Sequence, residues 1–328
     1  MVAKDMSREE WLALRAQSLG SSEAASAIGE DEYLSPLELW ERKLGLVETP
    51  DISGLRRIRL GHKLEPIVLE EYAHERAVRL LTERREIEAV LTSETCEVVG
   101  WVEGRQPMIR DRNRPWRTAT LDGLAVDAGG VPILVEAKAP GYRQLRKWPE
   151  DGAKAPDSYR IQVWHTLGIA NHIPSGVLVA LVGGAEYRDI EINTSTVPHG
   201  PLIALEQEFM NAVTTKEPPR RTGKAIESHI RAIERLHPDD SGEVVVLTTP
   251  VLDLHREIEA LEAQIKAGKD ADARKKELRE AIEVAMGSAT FGELPNGGGT
   301  YSLRWNDRAG YEVKASRFRT LKFTKGAK

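Results

Sequence analysis

The sequence predicts an α/β fold, a mixed sheet flanked by helices, followed by a separate helical and basic appendage. Three observations carry that expectation. Short apolar and β-branched runs between positions 97 and 192 read as strands. Segments with apolar residues at helical spacing lie before, among and after them. Beyond Pro218-Pro219 the texture changes to charged helical sequence and then to a basic tail.

Taken in order, the first element is a helix through Trp11, Leu12 and Leu14, followed by the small-residue stretch Gly20 to Ala27. Ser35, with Glu38 three residues later and Pro36 at the first helical position, opens a helix toward Gly45. Leu60, Leu64, Ile67, Val68 and Tyr72 predict another over about 60–80, beginning or kinking near Glu65 because of Pro66. Strands are expected at 97–102, 119–126 and 133–138, the last two joined by a turn at Gly129-Gly130. A helix over 157–171, strands at 176–182 and 187–192, and a helix over 198–213 complete a first domain at 1–219. The appendage, 220–328, carries helices at 224–236 and 250–285, the latter broken as a hairpin near Gly268 and Asp270. After Asn296-Gly297-Gly298-Gly299 it ends in a short strand at 301–305 and many basic residues.

Composition narrows the setting. The 328 residues are 41% hydrophobic and 30% charged, as expected of a folded globular chain, and the formal net charge of −5 argues against a protein that simply coats nucleic acid. A single cysteine, Cys96, excludes an internal disulfide and a cysteine-built zinc site. The N-terminus has no signal-peptide core and no apolar run reaches the ~20 residues of a membrane helix. A cytoplasmic protein, in a bacterium or a phage-infected cell, is expected, with no membrane partner.

Residues i and i+2 of a strand share a face. Glu136 and Lys138 are such a pair, with Ile133, Val135 and Ala137 opposite. Asp122 lies on the preceding strand, where a turn folds it back beside Glu136. Two carboxylates meeting at a hairpin suit a hard divalent ion, and an adjacent lysine suits charge building on a phosphate. Each piece also has an ordinary reading: E-x-K is common on solvated strands, and Asp-Gly is more often a turn. The nearly apolar surroundings of Glu136 tip the balance, because unpaired buried charges are costly.

Leu121-Asp122-Gly123 followed by Glu136-Ala137-Lys138-Ala139-Pro140 resembles the signature of the PD-(D/E)xK nuclease superfamily, with Leu121 in place of the motif's proline. Trp11 to Arg15 with Gly20-Ser21-Ser22-Glu23, Gly61-His62-Lys63-Leu64-Glu65-Pro66, and Tyr159-Arg160-Ile161-Gln162 narrow this to a resemblance to the YqaJ-like viral recombinase and lambda exonuclease family, over roughly 8–212. The resemblance implies a PD-(D/E)xK core and digestion of linear double-stranded DNA from its ends, 5′ to 3′. It implies Mg²⁺, replaceable by Mn²⁺, held by Asp122, Glu136 and the backbone carbonyl of Ala137, with Glu65 contributing directly or through water. Lys138 is implied to position the attacking water, Gln162 to support it, and Arg15, Ser22 and Thr120 to hold DNA phosphate. A single-strand annealing protein and a homo-oligomer are the implied partners, within a phage recombination role.

Rival readings are a PD-(D/E)xK endonuclease, a Cas4-like nuclease, and a recombination accessory protein that binds DNA without cutting. A Cas4-like iron–sulfur cluster needs more cysteines than Cys96 alone, and the complete set Glu65, Asp122, Glu136, Lys138 and Gln162 speaks against a decayed site. Arg105, Arg110, Arg112, Arg114 and Arg117, with Trp116 among them, fit either a DNA-gripping loop or a solvated hairpin. The seam of Leu254, Ile258, Leu261 and Ile265 fits either an assembly surface or a hairpin packed on itself, and the basic tail fits DNA contact, disorder or self-association.

Overall fold

The computed structural model describes residues 3–50, 54–149, 155–220, 223–265, 270–295, 299–308 and 316–325. They form two compact units, Met1–Ala225 and Ile226–Lys328. The division expected at 219/220 falls six residues later because the connecting segment belongs to the first unit. There the Lys224 amide donates to the Gly29 carbonyl (2.9 Å) and its ammonium pairs with Glu30 at 2.6 Å.

The first unit begins with β1 (Asp5–Met6), α1 (Arg8–Gln17), β2 (Leu19–Gly20) and α2 (Ser21–Ala27). Ser7 and Glu10 cap α1 reciprocally. Next come α3 (Pro36–Lys43), α4 (Arg56–Arg76), β3 (Arg79–Leu80) and α5 (Arg84–Leu91). Ser35 caps α3 as expected, its hydroxyl accepting from the Glu38 amide at 3.1 Å. The helix α4 starts nine residues before Glu65 and is continuous through Pro66. Pro66 is exposed, on the side where water can satisfy the carbonyl its missing N–H leaves open.

The strands β4 (Cys96–Val102), β5 (Gln106–Asp111), β6 (Arg117–Thr120), β7 (Gly123–Val126) and β8 (Pro132–Lys138) follow, then α6 (Asp157–Ile169), β9 (Ser175–Val182), β10 (Glu186–Asn193) and α7 (His199–Thr215). They build two five-stranded sheets, β1-β4-β5-β6-β2 and β10-β9-β8-β7-β3. The segment 119–126, expected as one strand, is therefore two. The chain leaves the first sheet at Thr120 and enters the second at Gly123, which places Asp122 at the passage between them. The supposed arginine loop is strand β5, its turns and the start of β6: Arg110 of β5 pairs with Glu97 at 2.6 Å, and Arg117 of β6 is wholly buried against Glu206 at 2.8 Å.

Strands β8 and β9 run parallel and are buried on both faces. Val135, Ala137, Val177, Val179 and Leu181 face Val68 and Tyr72 of α4. Leu134, Leu178, Ala180 and Val182 share the main core with Val163 and Leu167 of α6. Alternation along β8 therefore turns Glu136 and Lys138 toward α6, with apolar packing on both sides of the strand rather than only opposite them.

In the second unit, α8 (Ile226–Leu236), β11 (Val244–Val246), α9 (Thr249–Ile265) and α10 (Asp270–Met286) precede β12 (Phe291–Glu293), β13 (Gly299–Arg308) and β14 (Ser316–Lys325). The expected helical hairpin and basic tail are thus accompanied by a four-stranded sheet, ordered β11-β12-β13-β14. The sheet was missed because its strands are short or polar on one face. Ile258 and Leu278 pack with Leu303 and Leu321 in one core, with Leu254 and Leu261 against it. Leu254, Ile258 and Leu261 of the apolar seam are thus packed inside their own unit. Gly268, Asn296, Gly297, Gly298, Lys314 and Lys328, and the side chain of Ile265, lie outside the described residues.

Candidate active site

The site sits where three elements converge on the end of β7. Its first carboxylate, Asp122, accepts the backbone N–H of Ala137 at 3.0 Å. That bond replaces the ladder partner β8 loses when β7 stops at Gly123. Because the N–H and C=O of one strand residue leave on the same side, the Ala137 carbonyl also points toward Asp122. Next to it Glu136, 6% exposed, accepts from Lys138 Nζ and, at 2.5 Å, from Gln162 Nε2 of α6. Lys138 also faces the ring of Tyr159, 5.2 Å from its centroid. Asp122, Glu136, Ala137, Lys138 and Gln162 are brought together as the sequence implied.

Glu65 reaches the same place from α4, but through an intermediary. Gln106, the first residue of β5, donates its amide to Glu65 at 2.8 Å and approaches Asp122 Oδ1 at 3.5 Å. Sequence reasoning missed Gln106. A lone glutamine after a Glu-Gly-Arg turn carries no motif, and only the β4–β5 hairpin brings it back to the carboxylates.

A cleft of about 420 Å³ runs from Arg15 and Ser22 past Thr120 to Glu65, Asp122 and Gln162. Glu136 and Lys138 do not wall it; they join it through Gln162 and Ala137. Arg15 donates to the Ser22 hydroxyl at 3.0 Å and pairs with Glu23 at 3.3 Å. Glu23 is in turn held by Lys43 at 2.8 Å and by the Gly20 amide at 3.0 Å. Lys43 was not foreseen either, its ammonium being committed to two backbone carbonyls as well. Thr120 accepts from the Trp11 indole at 3.2 Å, and Arg15 lies over the Trp11 ring at 4.9 Å. Of the arginines once grouped as a loop, Arg105 lines this cleft; Arg110, Arg112 and Arg117 do not.

Electrostatics mark the carboxylates. Burial and the neighbouring Asp122 charge raise the Glu65 carboxyl to about 7. The same two causes raise Glu136 to about 8, against the pull of Lys138. Burial works against the Lys138 ammonium, but the Glu136 and Asp122 carboxylates outweigh it and hold its proton more tightly than usual. Acids crowded until they retain protons are short of positive charge, which is the condition a bound cation relieves. The donor set fits a hard divalent ion: carboxylate oxygens plus one outward-facing carbonyl, without sulfur. Among the described residues no group of three His, Cys, Asp or Glu side chains is already arranged around one point, so a cation would draw on the Ala137 carbonyl and water. Cys96 is buried and burial pushes its thiol up to about 12, which leaves it inert.

The YqaJ-like viral recombinase domain matches residues 10–173. The chain belongs to that family. The site residues named above, from Trp11 to Gln162, all fall inside the YqaJ-like match. The "Uncharacterized protein YqaJ" of Bacillus subtilis (strain 168) is 24% identical over 304 residues, 92% of this chain and 84% of that protein. Among solved structures, an alkaline exonuclease (LHK-Exo) from Laribacter hongkongensis overlaps 64% of this chain and 94% of its own, with TM-score 0.45 and 16% identity. Its complex with dAMP overlaps 69% and 96%, with TM-score 0.43 and 17% identity. Among the described residues no helix is long and apolar enough to cross a membrane.

Proposed function

We propose that this YqaJ-like chain is a Mg²⁺-dependent exonuclease that degrades linear double-stranded DNA from its ends, 5′ to 3′, exposing single strands for recombination. One observation carries the reading: Asp122, Glu136 and the Ala137 backbone meet beside Lys138 and Gln162 at one end of a cleft whose other end presents Arg15 and Ser22. Asp122, Glu136 and the Ala137 carbonyl would hold the metal, with Glu65 within reach. When bound, such an ion polarises the phosphate and acidifies a water, the chemistry that phosphodiester hydrolysis lacks in the protein alone.

The protein's own groups do the rest. Lys138 keeps its proton, so it is no general base; it stabilises negative charge on the phosphate oxygens and orients the water. Gln162 fixes the Glu136 carboxylate that Lys138 grips. Arg15, steadied by Glu23 and Lys43, offers a terminal phosphate a charged donor beside the Ser22 hydroxyl. An anion pocket in the same cleft as the carboxylates suits a strand end better than a strand interior. An annealing protein that takes the exposed strand and a homo-oligomer that stays on the duplex complete the proposal.

The test uses duplexes carrying a label at one 5′ end or one 3′ end, with Mg²⁺, beside a covalently closed circle. Early loss of the 5′ label with the circle intact is expected. Early loss of the 3′ label would reverse the polarity, and cleavage of the circle would make the protein an endonuclease.

A further inference from the structure

The four-stranded sheet of the second unit has one face covered and one open. Tyr301, Leu303 and Leu321 lie on the covered face, in a core with Ile258, Leu278 and Ile282 of α9 and α10. Strand alternation sends the intervening residues to the other side. The register places Val244, Phe291, Ser302 and Lys322 opposite one another, one from each strand, in a row across the open face. Such a row is about 14 Å wide at ordinary strand spacing.

Its chemistry is distinctive. Val244 is 56% exposed, Phe291 is half-buried, and Lys322 is exposed. Arg304, exposed two residues along β13 from Ser302, lies over the Phe291 ring at 4.9 Å. Glu293, exposed in the neighbouring row, is on the side away from Arg304. From 299 onward Arg304, Arg308, Lys314, Arg317, Arg319, Lys322, Lys325 and Lys328 stand against only Asp307 and Glu312.

We propose that this open face binds single-stranded DNA, with a base stacking at Phe291 and Arg304 and flanking phosphates on Arg304 and Lys322. Charge selects a polyanion. The flat aromatic and guanidinium surface, set on a sheet without a groove-filling helix, selects unpaired bases, because the faces of paired bases are hidden in the duplex. The hydroxyls of Ser302 and Thr324 beside the cations suit a sugar-phosphate chain, and the row holds no amide or carboxylate side chain to pair with base edges, so binding is tolerant of sequence. A chain that cuts nothing would still bind through this face.

The experiment measures anisotropy of a labelled 20-nucleotide oligo-dT with a 5′ hydroxyl, in EDTA and at several salt concentrations. The full chain is used, carrying Arg15→Ala so that the nuclease cleft contributes least. Adding Arg304→Ala with Lys322→Ala is expected to weaken binding at least tenfold and to lower the salt slope by roughly 1.4, about 0.7 per lost single-strand phosphate contact. Phe291→Leu, which keeps an apolar side chain, is expected to weaken it by about fivefold or more with the slope unchanged. A duplex of the same length is expected to be insensitive to Phe291→Leu. Equal binding by all variants, or an equal loss on duplex, would overturn the proposal. So would variants that change only the oligomeric state, which would make the face a contact between copies.

Discussion

Glu136 concentrates the electrostatic tension of the site, because it is buried beside a second carboxylate and gripped by one lysine. A carboxyl whose folded pKa is raised binds more protons in the native state than in the unfolded state between the two values. Stability of the metal-free protein therefore falls as pH rises from the unfolded value near 4.5 through about 7 for Glu65 and about 8 for Glu136, and levels off above. Thermal melts in EDTA from pH 5 to 9 are expected to show that decline, and Glu136→Gln to flatten it. Added Mg²⁺ is expected to abolish it in the wild type, since the ion takes the place of the protons. Gln106→Ala, which removes the donor between Glu65 and Asp122, is expected to lower cutting about tenfold while leaving the melt within a degree or two. At this scale Asp122, Glu136, Lys138 and Gln162 were legible, because their motif compresses the site into short spacings. Gln106 and Lys43 were not, because each acts through a tertiary contact with no local pattern.

Among the elements, α6 matters most, since it carries Gln162 on the face that also packs against β6. Its seat is polar as well as apolar. Arg117 of β6 reaches Glu206 at 2.8 Å and His165 bonds the same carboxylate at 2.7 Å, all three side chains fully buried. Breaking a buried pair by removing one partner leaves a stranded charge, so Arg117→Met is expected to cost about 3–5 kcal/mol. Chemical denaturation followed by tryptophan fluorescence reads this from the first unit, because all the tryptophans but Trp305 lie at or before Trp164. Gly168 belongs to the same seat. A Cβ there would meet Arg117 Nη2 at 2.8 Å, so Gly168→Val is expected to push α6 from β6 and lower both stability and cutting. The sequence showed β8 and β9 through their apolar runs and α6 through apolar residues at helical spacing. It hid the break at Leu121-Asp122, because both halves of 119–126 are equally strand-like and only the second sheet's pairing separates them.

At the level of the whole molecule, the two units have separate cores, and the site residues from Arg15 to Gln162 all belong to the first. Residues 1–225 are accordingly expected to fold alone and to retain Mg²⁺-dependent cutting of short duplexes, checked by a melt and a nuclease assay on that fragment. The division was legible in the change of texture after Pro218-Pro219. The sheet of the second unit was not, because its alternation is diluted by glycine, threonine and charge, and charged runs read more readily as helix or tail.

The central claim is that Asp122, Glu136 and Lys138 form a metal-dependent cutting site. It is tested most directly by the release of acid-soluble nucleotides from linear duplex DNA with Mg²⁺ and with EDTA, comparing wild type, Lys138→Ala and Asp122→Asn. Release by the wild type with Mg²⁺ alone is expected, falling by about a thousandfold or more in either variant. Release that persists in EDTA, or in both variants, would contradict the site described here.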